Sequence, residues 1–214
     1  MRTYQLLSPS RAAEMADAIR SAEWTAGKTL GGESRVKVVD ELRNDNPVAR
    51  PLLDEILSSV IDGPAQQRER LLKAFAPRFS RYGVGGEYQV HADSAYMGEV
   101  RTDLAMTLFL TDDYDGGELV VEIPGGQAAT VKGKPGHAVF YECWRPHMVK
   151  PVTRGERVVA VSWFQSRVPN AEDREILDRL HAVIDDVKQQ QMTEQERYAA
   201  LGAVHDKLLR RFSH

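Results

Sequence analysis

Leu104-Ala105-Met106-Thr107-Leu108-Phe109-Leu110, then Asp115-Gly116-Gly117, then Leu119-Val120-Val121-Glu122-Ile123, then Pro124-Gly125-Gly126: this stretch decides the fold class. Two short apolar runs are separated and followed by glycine-rich turns, and the rhythm continues on both sides. Further runs are Thr130-Val131, Ala138–Tyr141 and Val158–Phe164, with turns at Lys134-Pro135-Gly136 and Thr153-Arg154-Gly155. Closely spaced short strands of this kind predict an all-β sandwich or barrel over residues 77–168. The flanks read differently. Residues 8–75 are mainly helical in pattern. Ser8-Pro9-Ser10 starts one helix, and Asn46-Pro47 starts another that runs to about Val60. Pro64 opens a polar, helix-compatible segment through Leu72, and the glycines of 24–38 mark a loop or short strand. Residues 170–212 read as two helices. Asn170 caps the first, whose apolar stripe is Ile176, Leu177, Leu180, Val183, Ile184 and Val187. Thr193-Glu194-Gln195-Glu196 forms a capping box for the second, with Tyr198, Leu201, Val204, Leu208 and Leu209 on its apolar side. The chain is therefore expected to be mainly β with flanking helices: one domain over 1–168, with its core at about 77–168, and a helical extension over 169–214.

Within the β region, His91-Ala92-Asp93 is followed by His147 and then by Arg157. Residues i and i+2 of a strand share a face, so His91 and Asp93 project together, with Ala92 pointing away. His147 brings a third donor from another strand. Two imidazoles and one carboxylate on one face of a metal, with the other positions open, are the ligand set of non-haem Fe(II) oxygenases. His-x-Asp alone is common by chance; specificity comes from the whole order of motifs. Arg157 opens the apolar strand Val158-Val159-Ala160-Val161. If it points inward it needs an anionic partner, and a guanidinium grips a carboxylate through two parallel hydrogen bonds. That geometry suggests a dicarboxylate held at its far end. Arg154 sits in a turn and reads as solvated. Leu104, Met106, Leu108 and Phe140 are candidate dry walls, and Ser94–Glu99 is a candidate cover for the substrate.

The bulk properties remove several classes. A net charge of −3 gives no reason to expect a nucleic-acid or membrane partner. One cysteine, Cys143, permits no intrachain disulfide and reads as a small buried side chain. The N-terminus lacks the apolar stretch of a signal peptide, so a cytoplasmic location is expected. His137, His181, His205 and His214 read as surface or packing residues.

These residues make the chain resemble the iron- and 2-oxoglutarate-dependent dioxygenases of the prolyl-4-hydroxylase-like branch, and among them the bacterial PKHD-type hydroxylases. The resemblance includes Arg81-Tyr82, Arg101-Thr102-Asp103-Leu104, Asp113-Tyr114-Asp115-Gly116-Gly117-Glu118-Leu119, Pro151-Val152-Thr153-Arg154-Gly155-Glu156-Arg157 and Leu208-Leu209-Arg210-Arg211. It implies a double-stranded β-helix, or jelly-roll, core. It implies Fe(II) on His91, Asp93 and His147, and 2-oxoglutarate on Arg157 and Tyr82. It also implies O2 as cosubstrate, L-ascorbate as reductant, and release of succinate and CO2 on hydroxylation of an amino-acid side chain, peptide or small metabolite. Cys143-Trp144-Arg145-Pro146 departs from the family's usual small hydroxylated residues, which leaves the substrate open. The competing readings are a non-catalytic cupin-like metal-binding or sensing module, a metal-dependent isomerase or hydrolase, and a structural β body. The C-terminal helices pack on that body or on a second copy, making a homo-oligomer.

Overall fold

The computed structural model describes residues 1–26, 37–123, 125–189 and 192–212. They fall into two compact units, Met1–Ser166 and Arg167–His214. The first unit runs β1 (Arg2–Gln5), α1 (Pro9–Arg20), β2 (Thr25–Ala26), β3 (Lys37–Val38), β4 (Asp40–Arg43), α2 (Ala49–Ile61), α3 (Pro64–Glu69), β5 (Leu71–Ala74) and β6 (Arg78–Tyr82). It continues through β7 (Glu87–His91), β8 (Tyr96–Met97), β9 (Val100–Arg101), β10 (Leu104–Phe109), β11 (Tyr114–Gly116), β12 (Leu119–Ile123) and β13 (Gln127–Val131). It ends with β14 (His137–Glu142), β15 (His147–Val149), β16 (Val152–Gly155) and β17 (Arg157–Ser166).

The large sheet has the order β1-β14-β10-β17-β6-β4-β2, and a smaller sheet has β13-β12-β15-β7-β3. Successive strands alternate between the two. β6 lies in the large sheet, β7 in the small, β10 in the large, β12 and β13 in the small, β14 in the large, β15 in the small and β17 in the large. Every pairing among these strands is antiparallel. Four strands in each of two alternating sheets make the jelly roll.

The helices set which face of the large sheet holds the site. Ser8 caps α1, its hydroxyl accepting from the Arg11 N–H at 3.1 Å, with Pro9 in the first turn. Met15 and Ile19 of α1, and Leu53 and Ile56 of α2, join one core with Leu104, Met106, Leu108 and Phe140 of the large sheet. A second core on the opposite face holds Ala105, Phe109, Val139, Tyr141 and Trp163. The four expected walls therefore belong mainly to the helix-side core. The residues one step along each strand face the small sheet, because side chains alternate with period 2.

Two further expectations are corrected. The segment from Pro64 is helical only to Glu69, where Arg70 takes a left-handed conformation (φ 53°) and ends the helix. Leu71 and Leu72 are strand, pairing with the end of β17. The sheets also reach back before residue 77: β1 pairs with β14 and β4 with β6. Most of the expected loop at 24–38 lies outside the described residues, as do Pro124, His214 and the side chain of Leu209.

The Asp115-Gly116-Gly117 turn works only with glycine. Gly116 has φ +70°, and a Cβ there would lie 2.2 Å from the Pro151 carbonyl oxygen. Gly116→Ala should cost about 1–3 kcal/mol from the left-handed backbone alone, before the clash is counted. A urea midpoint equal to the wild type would refute this.

In the second unit, α4 (Ala171–Gln189) and α5 (Glu194–Phe212) pack on each other. Asn170 Oδ1 accepts from the Glu172 N–H at 2.8 Å. The Thr193–Glu196 capping box forms reciprocally. Of the expected stripes, Ile176, Val183 and Val204 are buried, whereas Leu177, Ile184, Val187, Tyr198 and Leu201 are exposed. No helix among the described residues is long and apolar enough to cross a membrane.

Candidate active site

β7 and β15 lie side by side in the small sheet, and their register sets His91 directly opposite His147. The ring centroids are 4.2 Å apart. Asp93 is not on the strand. β7 ends at His91, and Asp93 lies in the following loop, where its N–H donates to the Cys143 carbonyl at 3.0 Å. Shared strand faces are thus not what brings the pair together. The loop turns the carboxylate back to 3.9 Å from His91 Nε2 and 3.7 Å from His147 Nε2. One donor atom from each of the three lies within 4.8 Å of the others, and these three form the candidate metal-holding group among the described residues.

The surroundings orient these donors. His91 Nδ1 lies 2.8 Å from the Gln89 carbonyl oxygen, and His147 Nδ1 lies 2.8 Å from that of Arg145. A carbonyl only accepts, so each Nδ1 donates its proton there and each Nε2 is the nitrogen left facing inward, the one a neutral ring would offer to a metal. Tyr88 stacks on His91 at 3.6 Å between centroids, and Tyr141 meets His147 edge-on at 4.9 Å. Burial pushes the Asp93 carboxyl pKa up, opposed by His147, the Trp163 indole N–H, Arg78 and Lys37. Its Oδ2 is buried without a hydrogen-bond partner. Two inward imidazole nitrogens and an unsatisfied carboxylate oxygen fit a divalent cation.

Arg157 opens β17 opposite Tyr82 of β6 and is 1% exposed. Its guanidinium carbon lies 4.9 Å from the Tyr82 ring centroid and 5.5 Å from that of Phe109. Its Nε and Nη1 have no hydrogen-bond partner, and no carboxylate among the described residues lies within ion-pair distance of it. The anionic partner that an inward arginine needs is not supplied by the described chain. Nearby, the Tyr114 hydroxyl is also buried without a partner. Burial pushes the Tyr82 and Tyr114 phenols up, against the pull of Arg157, so both stay neutral and able to donate. Gly117 makes room here: a Cβ would lie 3.1 Å from Arg157 Cδ and 3.2 Å from the Tyr114 ring. One cavity is lined by His91, Asp93, His147, Tyr82 and Arg157 together, with Thr107, Tyr141 and Trp163 among its walls.

All five expected site residues thus meet in one place. Sequence reasoning missed Tyr114, Thr107, Tyr141, Trp163 and Arg78. Tyr114 stands inside the Asp113–Leu119 motif, but nothing local marks it as facing inward. Arg154 is exposed and pairs with Asp113 and Asp115. His181 and His205 lie beside Asp185 and Asp206 and outside the triad. Cys143 is buried, and burial raises its thiol pKa far above the ordinary value, which makes it a poor ligand. Arg101-Thr102-Asp103 is structural. Arg101 forks onto Asp103 through two 2.8 Å bonds, and Asp103 accepts from the Ser166 N–H at 2.8 Å. The candidate cover is a short hairpin, β8–β9, turning at Gly98.

Residues 77–165 match the model of the 2OG-Fe(II) oxygenase superfamily. A PKHD-type hydroxylase of Prochlorococcus marinus is 34% identical over 194 residues, covering 84% of each chain. One of Paraburkholderia phymatum is 34% identical over 220 residues, covering 97% of this chain and 96% of its own. Among solved structures, a Pseudomonas putida prolyl-4-hydroxylase superposes with a TM-score of 0.58 at 20% identity, covering 78% of this chain and 92% of its own. A prolyl hydroxylase from Trichoplax adhaerens, in complex with a hypoxia inducible factor peptide fragment, also gives 0.58, at 14% identity, covering 82% and 86%. These likenesses fit the strand topology, and the similarity to the curated relatives runs along nearly the whole chain. The protein therefore belongs to the 2OG-Fe(II) oxygenase superfamily beside the PKHD-type hydroxylases, and is a 2-oxoglutarate-dependent hydroxylase.

Proposed function

We propose that the protein hydroxylates an amino-acid side chain, a peptide or a small metabolite, releasing succinate and CO2. His91, Asp93 and His147 hold the Fe(II), and Arg157 and Tyr82 hold the far carboxylate of 2-oxoglutarate. The observation that carries this reading is Arg157: a fully buried cation with two unanswered N–H groups, in the same cavity as the triad. A cupin-like metal-binding module has no use for such a group.

When bound, iron, 2-oxoglutarate and O2 supply the oxidising chemistry. The chain supplies position and charge balance. Two neutral imidazoles and one carboxylate leave a divalent ion with a single positive charge, which favours a further anionic ligand. The charge of Arg157 balances the second carboxylate of a keto diacid. The Arg157 fork and the Tyr82 hydroxyl fix that end, so the keto acid is oriented before it reacts. Tyr88 and Tyr141, packed against the imidazoles, keep water from their faces.

The test is turnover with Fe(II), 2-oxoglutarate, O2 and L-ascorbate over a panel of amino acids, peptides and metabolites. Succinate and CO2 should form slowly alone and faster with the right substrate. Chelation should stop both, and Fe(II) should restore them. Oxygen-independent activity, or no succinate under any condition, would replace this reading with one of the alternatives. None of the proposed site residues lies in the C-terminal helices, to which we assign self-association, and the single cysteine suits a reducing cytoplasm.

A further inference from the structure

A second hollow shares His91, Asp93 and Trp163 with the first but is not lined by Arg157. It is lined by three cations: Lys37 of β3 and Arg78 of β6, which line the first cavity too, and Arg43 of β4. These three surround one acid. Glu41 Oε1 lies 2.5 Å from Lys37 Nζ and 3.2 Å from Arg78 Nε, and its Oε2 lies 3.6 Å from Arg43 Nη2. The strand register makes the cluster. Glu41 pairs with Ser80 and Arg43 with Arg78 across β4 and β6, while Lys37 pairs with Tyr88 on the ligand strand β7.

One carboxylate needs one cation. Here it has three, in a chain whose net charge is −3. Burial pulls the Lys37 ammonium pKa down, yet the two arginines stay charged at any working pH. Asp93 lines the same hollow, so the three cations face two carboxylates and one positive charge is left over while Lys37 is protonated. Arg78 is the partner best placed to use it. Its side chain is 20% exposed, its guanidinium lies over the Trp163 ring at 4.7 Å, and its buried Nε makes an ion contact with Glu41 without a hydrogen bond. Stacking on Trp163 holds the planar fork in place, which lowers the entropy lost when an anion binds. Arg78 also lines the first cavity with His91 and Asp93, so a molecule gripped there extends toward the metal position.

We propose that Arg78, with Arg43 and Lys37 beside it, anchors a carboxylate of the substrate, and that the substrate is an amino-acid-sized acid whose reacting carbon lies toward His91 and Asp93. A doubly charged phosphate fits less well, because the buried charge of Glu41 faces the same spot. This inference rests on the metal and 2-oxoglutarate assignment above, and the experiment separates the two.

Wild type and Arg78→Gln are loaded anaerobically with Fe(II) and 2-oxoglutarate, and their visible charge-transfer band is recorded. The common free L-amino acids and their neutral carboxamides are then added, followed by turnover in air. At least one free acid should perturb the band and stimulate succinate formation, with its amide about tenfold weaker or worse. In Arg78→Gln the band itself should persist, while the KM for that acid rises about tenfold or more and the preference over its amide disappears. Arg78→Lys should recover part of the preference. An amide equal to its acid, no response to any free acid, or an unchanged KM in Arg78→Gln would overturn the carboxylate anchor. No band in the wild type would overturn the metal assignment, and this proposal with it. A peptide preferred over every free acid would place the carboxylate elsewhere and likewise overturn it.

Discussion

Asp93→Ala should abolish metal-dependent stabilisation and substrate turnover while leaving the metal-free protein folded. The Asp93 carboxylate is 8% exposed, and burial disfavours its charged form. Without a cation it is a cost to the fold, so its loss should leave the metal-free melting temperature unchanged or slightly higher. With a cation it is the sole negative charge in the proposed ligand set. In the wild type, Mn(II) or Ni(II) at a hundred times its dissociation constant should add about 2.7 kcal/mol, roughly 5–10 °C for a chain of this size. The variant should show almost none of that shift. His147→Ala should behave alike. Cys143→Ala is the control, since only its backbone carbonyl holds the Asp93 loop, and that survives. Anaerobic melts with and without Mn(II) measure all of this. A full shift in Asp93→Ala would show that the ion binds elsewhere.

The parts of the site legible in the sequence were those fixed by chemical type. His91, Asp93, His147 and Arg157 are polar residues that call for a partner when buried, and their order along the chain suffices to nominate them. The walls were illegible for a physical reason. β10 is buried along its whole length, with α1 and α2 packed on one face and the small sheet on the other. Such a strand shows no polar–apolar alternation, so nothing local says whether Leu104, Met106 and Leu108 or Ala105, Thr107 and Phe109 face the site. The choice is made by the register of β17, where Arg157, Val159, Val161 and Trp163 alternate inward. Leu71–Ala74 escaped for another reason: four residues are too few to show any period, and a polar helix precedes them. The same holds for Arg78. Its neighbours Glu41, Lys37 and Arg43 come from strands some 35–41 positions earlier, and only sheet pairing gathers them. Asp93 is the instructive near miss. The His-x-Asp spacing nominated the right pair through strand geometry, while the chain achieves the convergence with a loop tied to Cys143.

Arg157→Met should separate the two halves of the proposed site. The metal-dependent melting shift should remain, because the triad is built by β7, β15 and the Asp93 loop, none of which uses Arg157. Affinity for 2-oxoglutarate should collapse. Removing one partner of a buried, hydrogen-bonded charge pair costs about 2–5 kcal/mol, roughly a thirty- to several-thousandfold rise in dissociation constant. Arg157→Lys should fall between, since an ammonium keeps the charge but loses the fork. The metal-free protein gives the sharper result. There the wild-type guanidinium is buried with Nε and Nη1 unanswered, and its contacts with the Tyr82 and Phe109 rings offset only part of its desolvation. Methionine fills similar space without that cost, and exchanging a buried charge for a well-packed apolar side chain is often neutral or stabilising by about 1–4 kcal/mol. The metal-free melting temperature should therefore hold or rise in the variant that binds 2-oxoglutarate worst. Calorimetric titration of 2-oxoglutarate into the Mn(II) form, paired with metal-free melts, measures both. An unchanged dissociation constant would remove Arg157 from the cosubstrate site. A large loss of metal-free stability would mean that the guanidinium serves the fold instead, because a residue kept for a ligand is one the empty protein folds as well or better without.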